Sequence, residues 1–245
     1  MILSLQRNNL FHNPVSGLWT PALISTELWL DALDASTITE SGGLVSQWDD
    51  NSGNGKHATQ ADGTLQPLYQ TGEIIFNGIN NRLETSLTQL TTGAIFMLLF
   101  PISKGTSKNN VPIGATVSFN SGGLFSTIQV FATGLPANII YYTTQLSTDN
   151  KFYNGTNVSP STFQKSIYMH QFSDVTTNSL PYSIGSRTSV LNNENYNGSM
   201  YEVIILSSVP DALLRQKIEG YLAWKWGTVA DLPADHPYKH SPPRV

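Results

Sequence analysis

Short apolar runs separated by turn residues dominate the chain from Val45 to Leu206. Runs of about four to eight residues, bounded by Gly, Asn and Ser, favour strands over helices. One of them, Ala94–Phe100, is almost continuously apolar, as expected of a strand that is covered on both faces. The predicted strands are Val45–Trp48, Ile74–Phe76, Ala94–Phe100, Thr116–Phe119, Leu124–Phe131, Ile139–Thr143, Lys151–Tyr153, Ser166–Phe172, Pro181–Ile184 and Met200–Leu206.

The pattern changes after Asp211, where apolar residues recur with helical spacing. Asp211 is suited to cap a helix, because its carboxylate can accept hydrogen bonds from the first free backbone amides. Gly227 supplies the left-handed residue that commonly ends a helix, and Gly220 predicts a close approach of the helix to a strand. The apolar stripe consists of Leu214, Ile218, Tyr221 and Leu222, and the strap predicted after the helix contains Leu232, Pro233, His236, Pro237 and Tyr238.

Many short strands closed by one helix predict an all-β fold, a two-sheet antiparallel jelly-roll sandwich with one C-terminal helix. No internal repeat or charged linker divides the chain, so residues 25–245 are predicted to form one domain. Residues 1–24 are predicted to be an N-terminal arm with two interpretations. The arm either forms a first strand and loop along the domain or attaches it to another protein.

Composition narrows the function classes. Charged residues are 12% of the 245-residue chain and the net charge is -4, with no Lys/Arg cluster that could neutralise phosphates, which argues against nucleic-acid binding. The chain has no cysteine, so disulfides, thiolate catalysis and Cys-ligated zinc are excluded. The N-terminus lacks the apolar core of an export signal, and no stretch is long enough to insert into a membrane. We therefore expect folding in a reducing cytosol and release by lysis or within a particle.

Catalytic motifs are missing from the predicted strands. Retaining glucanases need paired carboxylates about 5 Å apart on one face, and no strand carries a Glu-x-Asp-x-x-Glu pattern. Glu202 stands alone and is predicted to bond a loop or the helix. The five histidines lack the spacing of a helical zinc pair, and His57 and His236 are predicted structural hydrogen-bonders. The sequence thus predicts no catalytic, cofactor or metal residues and no enzymatic activity; the histidines are His12, His57, His170, His236 and His240.

The loop Asp49–Gly55 leaves two alternatives open. Its carboxylates and amides could hold calcium. It lacks the ligand alternation of an EF-hand, so a self-bonded turn is the preferred interpretation. Trp224 and Trp226 could stack on sugars, although their helical position favours core packing. Tyr141 and Tyr142 place one ring on each face of their strand, so one of them could be available to a glycan.

Several ordered motifs resemble the concanavalin A-like lectin/glucanase superfamily, with its laminin-G-like members. They are the stretches 48–60 and 75–78, the strand and turn 151–156, the stretch 184–187, the turn and strand 196–206, and the closing segment 218–238. The resemblance spans about residues 26–243. The resemblance implies a jelly-roll fold, and members of this superfamily mostly bind glycans or proteins. The motifs are also similar to those of domains found in tailed-bacteriophage virions.

From this resemblance we expect a non-enzymatic virion structural protein of a tailed phage, such as a capsid decoration, fibre or tail-associated protein. Its partners would be other virion proteins and host-surface glycan, and the protein would form a homo-oligomer in the particle. The alternatives are a free bacterial carbohydrate-binding module and a glycoside hydrolase.

Overall fold

The computed structural model describes residues 17–102, 109–114, 127–129, 131–132, 141–142, 150–156, 164–173, 180–187 and 194–245. Within these ranges the chain is mostly β, with one α-helix, α1, Ala212–Trp226. Short 3-10 helices lie at Pro21–Leu23, Ala35–Thr37 and Val229–Asp231. The strands are β1 Leu28–Asp31, β2 Ile38–Ser41, β3 Leu44–Trp48, β4 Ala58–Thr59, β5 Leu68–Gln70, β6 Glu73–Asn77, β7 Leu83–Thr88, β8 Gly93–Pro101, β9 Asn109–Asn110, β10 Ile113–Gly114, β11 Thr127–Gln129, β12 Phe131–Ala132, β13 Tyr141–Tyr142, β14 Asn150–Tyr153, β15 Ser166–Phe172, β16 Pro181–Ile184 and β17 Asn197–Leu206.

All described strand pairs are antiparallel. Fifteen strands form one sheet, in which thirteen follow a single hydrogen-bonded path and β1 and β2 branch from it, and β9 and β12 form a separate pair. We call the two parts of the large sheet half A and half B. Half A runs β13-β11-β10-β16-β7-β4-β3 with β2 on β3, and half B runs β5-β6-β17-β8-β15-β14 with β1 on β17. The all-β fold with a C-terminal helix is confirmed. The jelly-roll arrangement of two sheets stays a prediction, because the halves are joined where Leu44 pairs with Leu68.

One face of each half contributes to a shared apolar cluster, which we call the inner core. Trp48 and Leu83 from half A lie in the same cluster as Phe76, Met97 and Val203 from half B, and all five are at most 1% exposed. Such burial of facing side chains is the main force that holds a sandwich-like fold closed.

The opposite face of half B, its outer face, packs against α1 and forms a second cluster, the helix-side core. Phe96 and Ile204 on the strands meet Ile218, Tyr221 and Leu222 on the helix, and all are fully buried. The predicted apolar stripe is therefore confirmed. The predicted cap is also confirmed, because Asp211 Oδ1 accepts a hydrogen bond from Leu214 N at 2.7 Å.

Gly227 ends α1 with a left-handed φ of 75°, as predicted, and its N–H bonds Ala223 O. The close approach at Gly220 involves a different neighbour from the predicted strand. A Cβ at this position would lie 2.6 Å from Tyr238 Cβ, so glycine is required for the C-terminal strap to cross the helix. Trp224 Nε1 fixes the same crossing by donating to Tyr238 O at 2.8 Å.

The Asn-Gly turn after β14 packs on the strap. Tyr153 and Thr156 exchange backbone hydrogen bonds around Asn154 (φ 46°) and Gly155 (φ 85°). A Cβ at Gly155 would lie 3.1 Å from His236 Cδ2. The strand-plus-turn motif of the sequence is therefore a packing element that seats the strap against half B.

The first described residues belong to the packed domain. Trp19 is 4% exposed and meets Tyr221 edge to face at 6.0 Å. Leu18 pairs with Arg244, and Trp19 N bonds Pro243 O. Residues 1–16 of the predicted arm lie outside the described residues, so its division from 25–245 at residue 24 stays a prediction.

Candidate functional site

The outer face of half B is only partly covered by α1, and an apolar row crosses the part beyond the helix. Ser199 on β17 lies opposite Ile75 on β6 and opposite Phe100 on β8. Leu68 on β5 lies opposite Ile75, and Leu44 on β3 lies opposite Leu68. Directly paired residues of antiparallel strands project to the same face. These five side chains therefore form one row across five strands.

A second row, toward the end of the sheet, is richer in amides. Asn197 on β17 lies opposite Asn77 on β6. On its other side, Ile102 N donates to Asn197 O at 3.1 Å, which continues the register of β8. We call the two rows together the outer platform, made of Leu44, Leu68, Ile75, Ser199 and Phe100 in the first row and Asn77, Asn197 and Ile102 in the second.

The outer platform combines exposed apolar surface with amide groups and carries no formal charge. Ile102 is 52% exposed and Phe100 36%, although Phe100 belongs to a strand that is otherwise buried. An exposed, contiguous apolar patch with a polar surround marks an interaction surface more often than scattered apolar residues do. Apolar faces beside amide donors and acceptors suit uncharged polyhydroxylated ligands, which present C–H faces and hydroxyls together.

The platform borders the helix at Tyr201, the extra residue of a β-bulge between Met200 and Glu202. The Tyr201 ring meets Trp226 at 5.3 Å between centroids, and Lys165 Nζ lies 3.9 Å above the Tyr201 ring. Burial, with the neighbouring Glu73 carboxylate, raises the pKa of Tyr201. The phenol is therefore neutral under ordinary conditions, and the lysine is engaged at the rim of the platform.

Asparagine side chains hold the loop beyond the second row by replacing missing backbone partners. Asn77 Oδ1 accepts from the backbone N–H groups of Ile79, Asn80 and Asn81. Asn195 Nδ2 donates to Ile79 O at 2.6 Å. These bonds fix the loop without charged residues, as Asx turns do, and they leave Ile79 63% exposed.

Next to the platform, under the helix, lies a fully buried group of charges, which we call the buried triad: Asp31, Glu202 and Lys225. Asp31 and Glu202 are paired residues of β1 and β17. Lys225 Nζ lies 2.5 Å from Asp31 Oδ2 and 2.8 Å from Glu202 Oε2. All three side chains are 0% exposed. A ligand on the surface cannot reach them.

Aromatic donors complete the coordination of Glu202. Its Oε1 accepts from Trp29 Nε1 and Tyr221 Oη, both at 2.8 Å. Its Oε2 accepts from Trp226 Nε1 at 2.6 Å as well as from Lys225. Buried charges are tolerated when they are paired and fully hydrogen-bonded, and this carboxylate meets both conditions.

The triad places two acids against one amine in a water-free site. Burial raises the pKa of Glu202, and the Asp31 carboxylate acts in the same direction against the Lys225 ammonium. Burial alone would lower the pKa of Lys225, but the two carboxylates outweigh it, so this pKa lies above its ordinary value. The two carboxylates therefore favour the ammonium form of Lys225.

The prediction that Glu202 bonds the helix is confirmed by its contacts with Tyr221, Lys225 and Trp226. The core-packing interpretation of Trp226 is likewise confirmed, since only 9% of the residue is exposed. The side chains of Tyr141 and Tyr142, and all of His12, lie outside the described residues.

His236 Nδ1 accepts from Tyr238 N at 3.2 Å, and His57 Nδ1 accepts from Asp50 N at 3.1 Å, so both act as structural hydrogen-bonders.

The loop Asp49–Gly55 has the geometry of a self-bonded turn. Asp50 Oδ1 accepts from Trp29 N and Ser52 N, and Oδ2 accepts from Ser52 Oγ and Lys56 N. These donors occupy both oxygens and tie the loop to β1. Among the described residues, no three His, Asp or Glu side chains form a group that could hold a metal ion. No helix in the described ranges combines the length and hydrophobicity needed to span a bilayer.

Comparison with known proteins gives structural neighbours only. No family model and no curated sequence matches the chain. The fold is similar to part of the structure of Trypanosoma rangeli sialidase in complex with 2,3-difluorosialic acid, a covalent intermediate (TM-score 0.42, 12% identity, 86% of this chain and 36% of that one). It is also similar to the same sialidase in complex with sialic acid (TM-score 0.39, 10% identity, 77% and 32%). The chain thus spans about a third of the length of these neighbours.

The prediction of no enzymatic activity is contradicted by this comparison, because the neighbours are sialidases, which are enzymes. At these TM-scores the likeness gives the chain no active site and no substrate. The antiparallel β fold agrees with the lectin-like resemblance of the sequence. These comparisons do not test a phage virion role.

Proposed function

We propose that the chain is a lectin-like adhesion protein displayed on a tailed-phage particle, and that its outer platform binds neutral glycans of the host surface. The observation that carries the proposal is the pair of uncharged cross-strand rows beside α1. Phe100 and Ile102 offer apolar faces for sugar rings, and Asn77 and Asn197 in the second row offer amide groups for hydroxyls. The small share of charged residues, 12%, supports a neutral rather than an ionic ligand.

A glycan array probed with purified protein tests the binding, with Phe100→Ala and Ile102→Ala as variants. Truncation of a central contact residue commonly costs more than 1 kcal/mol, so each variant should bind about tenfold more weakly. The matched control is Leu213→Ala, an exposed residue (65%) on the first turn of α1, at the other end of β17. Binding unchanged in both platform variants would reject the assignment of the surface.

The virion assignment rests on the sequence resemblance alone, and it needs a separate test. Trp19 packs in the helix-side core, so removal of residues 1–24 would damage the domain. Removal of residues 1–16 leaves Trp19 in place. We expect this shorter protein to fold and bind glycan but to be absent from assembled particles. Its normal incorporation would reject the arm as the attachment segment. A full-length protein that is absent from purified particles but binds glycan would favour the alternative of a free carbohydrate-binding module.

Reducing-sugar release from the glycans that bind provides the test for hydrolysis. Glu202 is fully buried, so any hydrolytic activity would have to come from other residues. Loss of that activity in the Phe100→Ala variant would link the activity to the platform.

A further inference from the structure

We propose that the buried triad forms an intramolecular isopeptide bond, in which the side-chain amine of Lys225 is joined to the side-chain carboxyl of Asp31. This inference is independent of the glycan-binding proposal. It concerns the chain's own covalent structure and assigns a modification site to residues that no surface function can use.

The geometry brings the reacting groups together. Lys225 Nζ lies 2.5 Å from Asp31 Oδ2, which brings the amine close to the roughly 3–3.5 Å from the carboxyl carbon that a near-attack arrangement requires. Both groups are held on packed elements, the C-terminal half of α1 and the end of β1. Because folding already fixes this orientation, the reaction avoids the entropy cost of bringing an amine and an acid together in solution.

The surroundings favour condensation over a permanent ion pair. The three side chains are fully buried, and Trp29, Tyr221 and Trp226 enclose them. The two carboxylates favour the ammonium form of Lys225 at rest, so the reaction begins when a proton passes from Lys225 to Asp31 and leaves a neutral amine beside a neutral acid. Exclusion of water also disfavours the reverse reaction, hydrolysis of the amide.

The reaction balances without any added reagent. One proton moves from Lys225 Nζ to Asp31 Oδ2, and the freed lone pair forms a bond to Asp31 Cγ. The nitrogen then gives a second proton to Glu202 Oε2, 2.8 Å away. Glu202 returns this proton to the departing hydroxyl, the Cγ–Oδ2 bond breaks, and one water leaves. Glu202 ends as the carboxylate that it was, so its role is general acid–base catalysis.

The position of the bond suits a chain without cysteine, which has no disulfide to close its fold. The bond would join β1, near the beginning of the domain, to the last turn of α1. Cross-links that enclose long segments restrict the unfolded chain most. The bond would therefore secure the closing helix on half B of the sheet.

Intact-mass spectrometry of the purified full-length chain tests the proposal. The expected mass is lower than the sequence mass by one water, and peptide mapping should find the segment with Asp31 joined to the segment with Lys225. A wild-type chain at its full sequence mass would overturn the proposal outright. A water loss that maps to a cyclised Asp62-Gly63 and reverses in mild alkali would overturn it equally, since an isopeptide persists there.

Variants separate the roles of the three residues. Asp31→Ala and Lys225→Arg should show the full mass, and Glu202→Gln should form the bond at least about a hundredfold more slowly. Lys217→Arg, on the same helix, should keep the deficit. Rapid bond formation in Glu202→Gln would remove Glu202 from the mechanism. If that variant fails to fold, the wild-type mass and its mapped cross-link still decide whether the bond exists.

Discussion

The two cores of this protein bury similar apolar residues but differ in how they treat charge. The inner core, between halves A and B, is built from side chains such as Phe76 and Leu83 and stabilises the sandwich-like fold mainly by apolar burial. The helix-side core includes the buried triad, whose charges specify how α1 sits on β1 and β17. An apolar core tolerates small shifts, whereas a buried charged group has one satisfied arrangement. The second core therefore sets position as well as stability.

The largest expected effect comes from Lys225→Ala, which leaves Asp31 and Glu202 buried without a basic partner and also prevents the proposed isopeptide bond. Loss of one partner from a buried ion pair costs about 3–5 kcal/mol. Urea unfolding should show this loss, or the variant should fail to fold. Lys217→Ala, on the same helix, serves as the control and should cost less than about 1 kcal/mol. A small effect of Lys225→Ala would mean that the triad does not hold the helix.

Truncation of a fully buried apolar side chain should destabilise the protein by a similar amount in either core. Leu83→Ala in the inner core and Leu98→Ala in the helix-side core each remove a fully buried side chain. Each substitution should lower the free energy of unfolding by about 2–5 kcal/mol, because the cost of the cavity left behind adds to the lost transfer free energy of the side chain. A helix-side value far below the inner-core value would show that the charges, and not apolar packing, dominate the second core. Leu44→Ala, at an exposed position, is the reference.

Removal of single phenol hydroxyls should distinguish the cores at neutral pH. Tyr221 Oη donates to the Glu202 carboxylate, whereas Tyr196 Oη donates to the neutral Ser199 O at 3.1 Å. Bonds to charged groups contribute about 1.5–3 kcal/mol and neutral bonds about 1 kcal/mol. Tyr221→Phe should therefore destabilise more than Tyr196→Phe in thermal unfolding. Equal losses would argue that Glu202 is uncharged.

Alkaline pH should have the smallest effect per group. Burial raises the pKa of Tyr196 well above 10.0, and burial with the Glu202 carboxylate does the same for Tyr221. Their phenols ionise first in the unfolded chain, so stability should fall as pH rises above about 10. Each phenol contributes at most about 1.4 kcal/mol per pH unit. Each Tyr→Phe variant should show a smaller loss of stability above pH ~10 than the wild type. An unchanged dependence of stability on pH in both variants would contradict the raised pKa values of Tyr196 and Tyr221.

The sequence predicted the elements whose signals are local. Strands Ser166–Phe172 and Pro181–Ile184 were placed at their observed bounds, and Asp211 and Gly227 marked the ends of α1 correctly. Several strands were missed, among them β7 and β10. In β7 the apolar positions alternate with Glu84 and Ser86, and β10 is only two residues long, so neither shows a conspicuous apolar run.

The candidate surfaces were not predictable, because they depend on strand register. Leu68, Ile75 and Phe100 form a row only once β5, β6, β17 and β8 are paired in one particular alignment. The triad has the same origin, since Asp31 and Lys225 are distant in sequence. Glu202 alone gave a signal, as a lone acid on an apolar strand, and its predicted contact with the helix was correct.

The pairing of β1 with β17 dictates when this protein can fold. Leu28, near the beginning of the domain, finds its partner Ile205 only after most of the chain has left the ribosome. Until then β1 and β8 lack a central neighbour and present apolar edges, which slows folding and invites aggregation. Production of the protein should therefore respond to chaperone supply and to slower growth. A fragment that stops before β17 should be insoluble.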